Sequence, residues 1–344
     1  MVFLYHSPHA LARFVPNAYL AVDLFFCLSG FVIAYSYGHK LEGKLNIRDF
    51  FAIRLFRFYP IYLLGTLLVV ARVSMTHEGR VFFHAQPGMY SIVLLLALAG
   101  LPRFALHAVN VYLYPFNAPA WSLLDEMIGN LGYAAAIRRG VAWVVLPAAC
   151  VLSLARLTYA AAHDPTMLHT DDLTALARVF FSFPVGVFLF YLYRRRHNTA
   201  QRTSALGVLL AFAATTLSLG FRSPFHAQWT QLFVIVIVFP ALVYGSAGVA
   251  VPRPLLKACV LLGEVSYPVY MLQAVFQIPH LPAVDLLGQK HLPVLAVLIG
   301  LDLLILALVG IWVNRNYDER VRKKLTAWYR SWAAAEPDKT VRPI

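Results

Sequence analysis

The sequence predicts an all-α, polytopic integral membrane protein, a bundle of about ten transmembrane helices. Composition, the recurrence of long apolar stretches and the placing of the cations predict it together. Of 344 residues, 60% are hydrophobic and 13% charged, too few charges for a soluble domain to cover itself with. Apolar stretches of about 20 residues recur along nearly the whole chain, each long enough to cross a hydrocarbon core of about 30 Å as a helix. The net charge of +13 is carried in short clusters between those stretches, not along one polar face. Topology explains it, nucleic acid is not an expected partner, and the lipid bilayer is the solvent.

Taken in order, residues 1–6 (Met-Val-Phe-Leu-Tyr-His) read as the closing turns of an apolar helix. They are too short for a signal peptide, so the chain is expected to start inside its first transmembrane helix. The next spans are residues 18–38 and 58–74, separated by the basic cluster Lys40 to Arg57. Residues 89–101 form a short apolar segment, either re-entrant or completed by 102–110 despite Pro102 and Arg103. Then come 119–137 and 141–161, divided by Arg138 and Arg139, and 176–193 and 204–220, divided by Arg194 to Arg202. The last are 230–248 and 258–278, divided by Arg253 and Lys257, and 292–314, followed by Arg315 to Lys324. The positive-inside rule sends these clusters to the cytoplasm. The alternate loops hold Asp164, Asp171, Asp172 and Asp285. For the scheme to close, residues 75–118 must cross an even number of times. A membrane domain of residues 1–314 is thus followed by a basic cytoplasmic tail, 315–344, whose Trp328, Tyr329 and Trp332 suit either an interfacial amphipathic helix or a solvated tail.

Burying an ionisable side chain in hydrocarbon costs about 2.5–3.5 kcal/mol even on the lenient insertion scale. Asp23, Asp125, Glu126, Glu264 and Asp302, and less strongly His6, are therefore the informative residues. Each taken alone fits a packing hydrogen bond or a place near the headgroups. Cys27, Cys150 and Cys259 lie in apolar stretches and read as small hydrophobes, with no disulfide framework and no metal site.

Clustered sequence patterns add chemistry. The first is Val2-Phe3-Leu4-Tyr5-His6 followed by Asp23-Leu24-Phe25-Phe26-Cys27-Leu28-Ser29-Gly30-Phe31. The second is Arg54-Leu55-Phe56-Arg57-Phe58-Tyr59-Pro60, the third Trp121-Ser122-Leu123-Leu124-Asp125-Glu126, and the fourth Gly263-Glu264-Val265-Ser266-Tyr267-Pro268-Val269-Tyr270-Met271-Leu272-Gln273. Together they resemble acyltransferase family 3, membrane proteins that acylate hydroxyls of sugars and surface polysaccharides from cytoplasmic acyl-CoA. The resemblance runs from residue 1 to about 280 and also covers Gly129 and Asn130, where one variant of the family has Asn too.

The resemblance implies an O-acyltransferase of the bacterial inner membrane, with a cytoplasmic C-terminus and acyl-CoA as co-substrate, with no other cofactor. The acceptor would be a glycan or related hydroxyl compound, and the acyl group acetyl, the usual one. His6 would be the base, since its proton affinity tunes near neutrality, with Glu126 or Asp23 orienting or charging the imidazole. His9 is a nearby rival in the outer loop. Arg54 and Arg57, three residues apart on one helix face, would hold the CoA phosphates; without the resemblance they are positive-inside anchors. Ser29, Trp121, Ser122, Glu264, Tyr267 and Gln273 complete the candidate site residues, with Ser29 or Ser122 a weaker choice as covalent nucleophile.

The pattern departs from the family in two places. Gln273 stands where members have His, and Gln cannot titrate. The Arg usually found eleven residues before the first helix's His falls ahead of Met1, so the chain is either the continuation of a longer protein or a truncated copy. A secondary transporter also tolerates intramembrane acids and broken helices, but has no reason to combine Arg54 and Arg57 with His6 and Trp-Ser-Leu-x-x-Glu. A catalytically degenerate family member is the third reading.

Overall fold

A computed structural model describes residues 2–5, 14–77, 80, 84, 87–102, 114, 116–163, 172–196, 205–220, 227–276 and 291–335. His6 and His9 lie outside the described residues, as do 103–113 and 336–344. The helices are α1 (Val2–Tyr5), α2 (Ala21–Glu42), α3 (Ile47–Met75), α4 (Pro87–Leu98), α5 (Trp121–Arg138), α6 (Ala142–His163) and α7 (Asp172–Arg196). They continue as α8 (Ala205–Gly220), α9 (Ala227–Phe233), α10 (Phe239–Ala247), α11 (Arg253–Phe276), α12 (Leu292–Val313) and α13 (Glu319–Ala335). Wide turns at Val234–Val238 and Asn314–Asp318 join α9 to α10 and α12 to α13. There is no strand among the described residues. The chain is an all-α membrane protein.

Among the described residues, seven helices are long and apolar enough to cross a bilayer. α4, at 12 residues, is the short segment that the sequence marked at 89–101. The basic stretch after Asn314 follows the preceding span as helix to Ala335, the helical one of the two forms expected for it.

The chain divides into two compact units, one formed by residues 1–50 and 125–256 and the other by 51–124 and 257–344. In the first, α2 and α7 run parallel. Asp23 meets Arg178, Gly30 meets the backbone of Phe183, and Tyr35 meets Phe190 edge-on at 5.9 Å. α5 joins them in the same direction: Glu126 is beside Ser29, Tyr133 beside Phe183 at 6.2 Å, and the Tyr133 hydroxyl beside Gly38. α6 runs the other way, with Trp143 on Tyr191 at 4.9 Å and Cys150 Sγ reaching the carbonyl of Phe181. This alternation of α5, α6 and α7 is what the basic clusters require.

The ends of this unit are tied down by polar contacts. Asn17 N–H donates to the carbonyl of Leu219 (3.1 Å), and Gln231 donates to the Asn17 side chain (2.8 Å). At the other end Arg138 Nη1 donates to the carbonyls of Gly43 (3.3 Å) and Leu45 (3.1 Å), fixing the end of α5 against the α2–α3 turn. Asn46 Oδ1 accepts from Asp49 N–H at 2.7 Å and caps α3.

In the second unit α3 and α11 run parallel. Tyr267 Oη donates to the carbonyl of Phe58 (2.5 Å), Gly65 faces the backbone of Met271, and Arg72 donates to the carbonyl of Val275 (3.0 Å). α4 packs here through Tyr90, Val93 and Ala97 against Val69, Phe116 and Ala274. Large apolar side chains elsewhere face outward, such as Leu206, Leu209, Leu210 and Phe212 on α8 and Val297, Leu301, Leu304, Ile305 and Leu308 on α12. That surface is suited to lipid chains, not water.

Close helix approach through small residues replaces the hydrophobic effect between helices in lipid. A Cβ on Gly186 would lie 1.9 Å from the carbonyl oxygen of Cys27, and one on Gly30 would lie 2.0 Å from that of Phe183. Gly186→Val should separate α2 from α7 at a cost of about 3 kcal/mol, the upper end for overpacking, seen as a lost folded peak in size exclusion. Gly263→Val, where no atom lies within 4 Å, should leave that peak intact.

Candidate functional site

Three of the expected acidic residues, Asp23, Asp125 and Glu126, belong to the first unit, and they are held differently. Asp23 is fully buried, and so is Arg178, at 0% and 2% exposure. Arg178 Nε donates to Oδ1 (3.0 Å) and Oδ2 (3.1 Å) of Asp23, and Nη2 donates to Oδ2 and to the carbonyl of Tyr19 (3.2 Å). The guanidinium also stands 5.3 Å over the Tyr19 ring, and Tyr19 in turn packs against Tyr5 at 5.8 Å. Two opposite charges deep in an apolar bundle are tolerable because each supplies what the other lost with water. Asp23 is therefore neutralised by a neighbour that the sequence analysis did not single out. The signal was available: Arg178 lies inside the apolar run 176–193, at the same helical depth as Asp23.

Glu126 is half-buried and accepts a hydrogen bond from Ser29 at 2.5 Å. This brings the Ser-Gly-Phe segment of α2 and the Trp-Ser-Leu-x-x-Glu segment of α5 into contact across 97 residues of sequence. A carboxylate in that setting accepts protons or orients a donor, and its hydroxyl neighbour fixes one of its oxygens. Asp125, the adjacent acid, is buried at 8% exposure.

The second unit holds the arginine pair. The Arg54 guanidinium stacks on Phe58 (4.6 Å), and that of Arg57 stands over Tyr267 (5.4 Å). Arg57 also approaches Asp318 at 3.9 Å, while Arg322 pairs with the same carboxylate at 2.9 Å. Asp318 is fully buried, so two cations converge on it. Asp318 and Arg322 lie in the stretch that the sequence assigned to a tail, which is why they were missed. Ser122 Oγ is 2.8 Å from Tyr270 Oη and donates to the carbonyl of Pro119 (3.0 Å); this seat for its hydroxyl is a packing role, and it weakens the reading of Ser122 as nucleophile. Trp121 and Glu264 are half-buried. Gln273 is buried at 1% exposure. Among the described residues no three His, Cys, Asp or Glu side chains gather as a metal site.

Compared with known proteins, the chain matches the family described as "Acyltransferase domain" over residues 1–322. It is also 36% identical, over 137 residues, to "Protein 2 in picA locus" of Rhizobium radiobacter, covering 38% of this chain and 71% of that protein. No solved structure matches. A transporter would not be expected to match along this length.

Arg178→Gln should leave the Asp23 carboxylate buried and uncompensated, at a cost of about 3–5 kcal/mol. Asp23→Asn combined with Arg178→Gln should restore most of that loss. Thermal unfolding in detergent of the single and double variants measures the difference.

Proposed function

This chain belongs to the acyltransferase family 3, and we propose that it moves an acyl group, acetyl being the usual one, from cytoplasmic acyl-CoA to a hydroxyl of a cell-surface glycan or related acceptor. The contact between Ser29 and Glu126 carries the reading. Two of the motifs behind the resemblance meet at a half-buried carboxylate, as an acid–base site requires.

In the proposed reaction the acceptor oxygen attacks the thioester carbonyl while a base removes its proton. The new carbon–oxygen bond forms, the carbon–sulfur bond breaks, and CoA leaves as a thiolate that takes up a proton. His6 is the proposed base on sequence grounds, and Glu126 the carboxylate that orients or charges it. The same proton then returns from the imidazole to the departing sulfur, so none is gained or lost over the cycle. Asp23, bound by Arg178 on both oxygens, is better suited to hold α2 against α7 than to take part in proton transfer.

Arg54 and Arg57 are assigned to the phosphates of the donor. Stacking on Phe58 and Tyr267 holds each guanidinium in place. The enzyme is a multi-pass membrane protein, and the inner membrane with a cytoplasmic C-terminus is the orientation in which these arginines meet a cytoplasmic donor.

His6→Ala should abolish acyl transfer in isolated membranes at an unchanged protein level, whereas retained activity would move the base elsewhere. Arg54→Ala and Arg57→Ala should raise KM for acyl-CoA about tenfold or more while changing the acceptor KM little, since a charge-assisted hydrogen bond is worth about 1.5–3 kcal/mol. An unchanged donor KM would return both residues to membrane anchoring.

A further inference from the structure

Asn130 on α5 is fully buried, at 0% exposure. Neither its amide nitrogen nor its amide oxygen has a hydrogen-bond partner among the described residues. A primary amide brings two donors and an acceptor into the interior, and leaving them unmatched costs more than an apolar side chain of the same shape would. Packing accounts for the burial but not for the amide. Beside it, Gly129 faces Val179 and Phe183 of α7, and the Tyr133 ring meets the ring of Phe183. Ser182, next to Phe183, is also buried, at 2% exposure, with its hydroxyl unmatched among the described residues.

The position of Asn130 along α5 gives the amide a use. Residues four apart share a helix face, so Asn130 lies one turn, about 6 Å of rise, from Glu126. It lies on the side of Arg138, the basic end of the helix. Nearest the thioester on an acyl-CoA donor, the hydrogen-bonding groups are the secondary amides of its pantetheine arm. Each is trans, with N–H and C=O on opposite edges, so one of them meets Asn130 through a single bond, accepting from its N–H or donating to its oxygen.

We propose that Asn130 is a donor-binding residue that pairs with an amide of the pantetheine arm of the acyl donor and so sets the thioester beside Glu126. The proposal rests on the reading of acyl-CoA as co-substrate. Its geometry fits the arm: two methylenes separate the thioester sulfur from the nearest amide nitrogen, a reach comparable to the one turn between Asn130 and Glu126. Asn130 would thereby act as a gauge of depth, selecting donors whose amide lies at that distance from the reacting carbon.

The test uses the full-length protein in nanodiscs and two probes, CoA and 3′-phosphoadenosine 5′-diphosphate, the CoA headgroup without pantetheine. Asn130→Leu keeps the side chain's size and removes its polar atoms. It should weaken CoA binding about tenfold, as losing a matched buried pair does, and leave headgroup binding unchanged, which also shows that the variant is folded. Asn130→Leu that binds CoA as wild type does would overturn the proposal and make Asn130 a packing residue or a seat for internal water. Equal weakening of both probes would overturn it too, as a general disturbance of the fold. Wild-type protein that binds neither probe would instead sink the acyl-CoA reading itself, and this proposal with it.

Discussion

The ion pair between Asp23 and Arg178 is the constraint around which the first unit is arranged. In hydrocarbon neither charge has water to fall back on, so each must stay within reach of the other. That requirement fixes the register of α2 against α7. Once the register is set, Gly30 lies against the backbone of Phe183 and Gly186 against that of Cys27, and α2 is held where Ser29 reaches Glu126. Arg138 secures the other end by bonding the turn after α2. A polar clamp near one end, glycine contacts in the middle and an arginine cap at the far end thus hold three parallel helices, α2, α5 and α7.

The second unit shows the same economy with different parts. Cations near the start of α3 are held by aromatic faces, Phe58 for Arg54 and Tyr267 for Arg57, and by the buried carboxylate of Asp318. Asp318 sits on a wide turn between α12 and α13, where an extra residue in the turn redirects side chains. The helix beyond it carries Arg320, Arg322, Lys323 and Lys324, and Arg322 joins Arg57 at that carboxylate. The end of the chain therefore takes part in placing an arginine assigned to the donor.

Much of this was legible in the sequence, for physical reasons. Long apolar runs bounded by cations can hardly be anything but membrane helices, and the parallel packing of α2, α5 and α7 agrees with the alternation that the positive-inside rule gave. Asp23 and Glu126 were visible because ionisable groups in an apolar run demand a reason, and Ser29 was visible through the family resemblance. What could not be read was partnership. Arg178, inside a predicted span, was not singled out, and Asp318 lay in a stretch composed like a solvated tail. Whether a charge is paired is decided by contacts hundreds of residues apart in sequence, which periodicity does not encode. The role assigned to Asp23 shows the consequence: as a lone acid it looked like a partner for an imidazole, and with Arg178 bound to it, it looks like a clamp.

The family places the chain among acyltransferases, and the proposed reaction assigns proton chemistry to Glu126, the half-buried carboxylate that Ser29 bonds. The most direct measurement is transfer of radiolabelled acetyl from acetyl-CoA into base-labile ester, using native membranes as the acceptor source and purified protein carrying Glu126→Gln. This change keeps the shape of the side chain and its hydrogen bond from Ser29 but removes the charge. If Glu126 supports the base, label incorporation should fall by about a hundredfold or more, the usual scale for acid–base catalysis, while the protein stays as stable as wild type. Transfer at the wild-type rate by the Glu126→Gln protein would contradict the account.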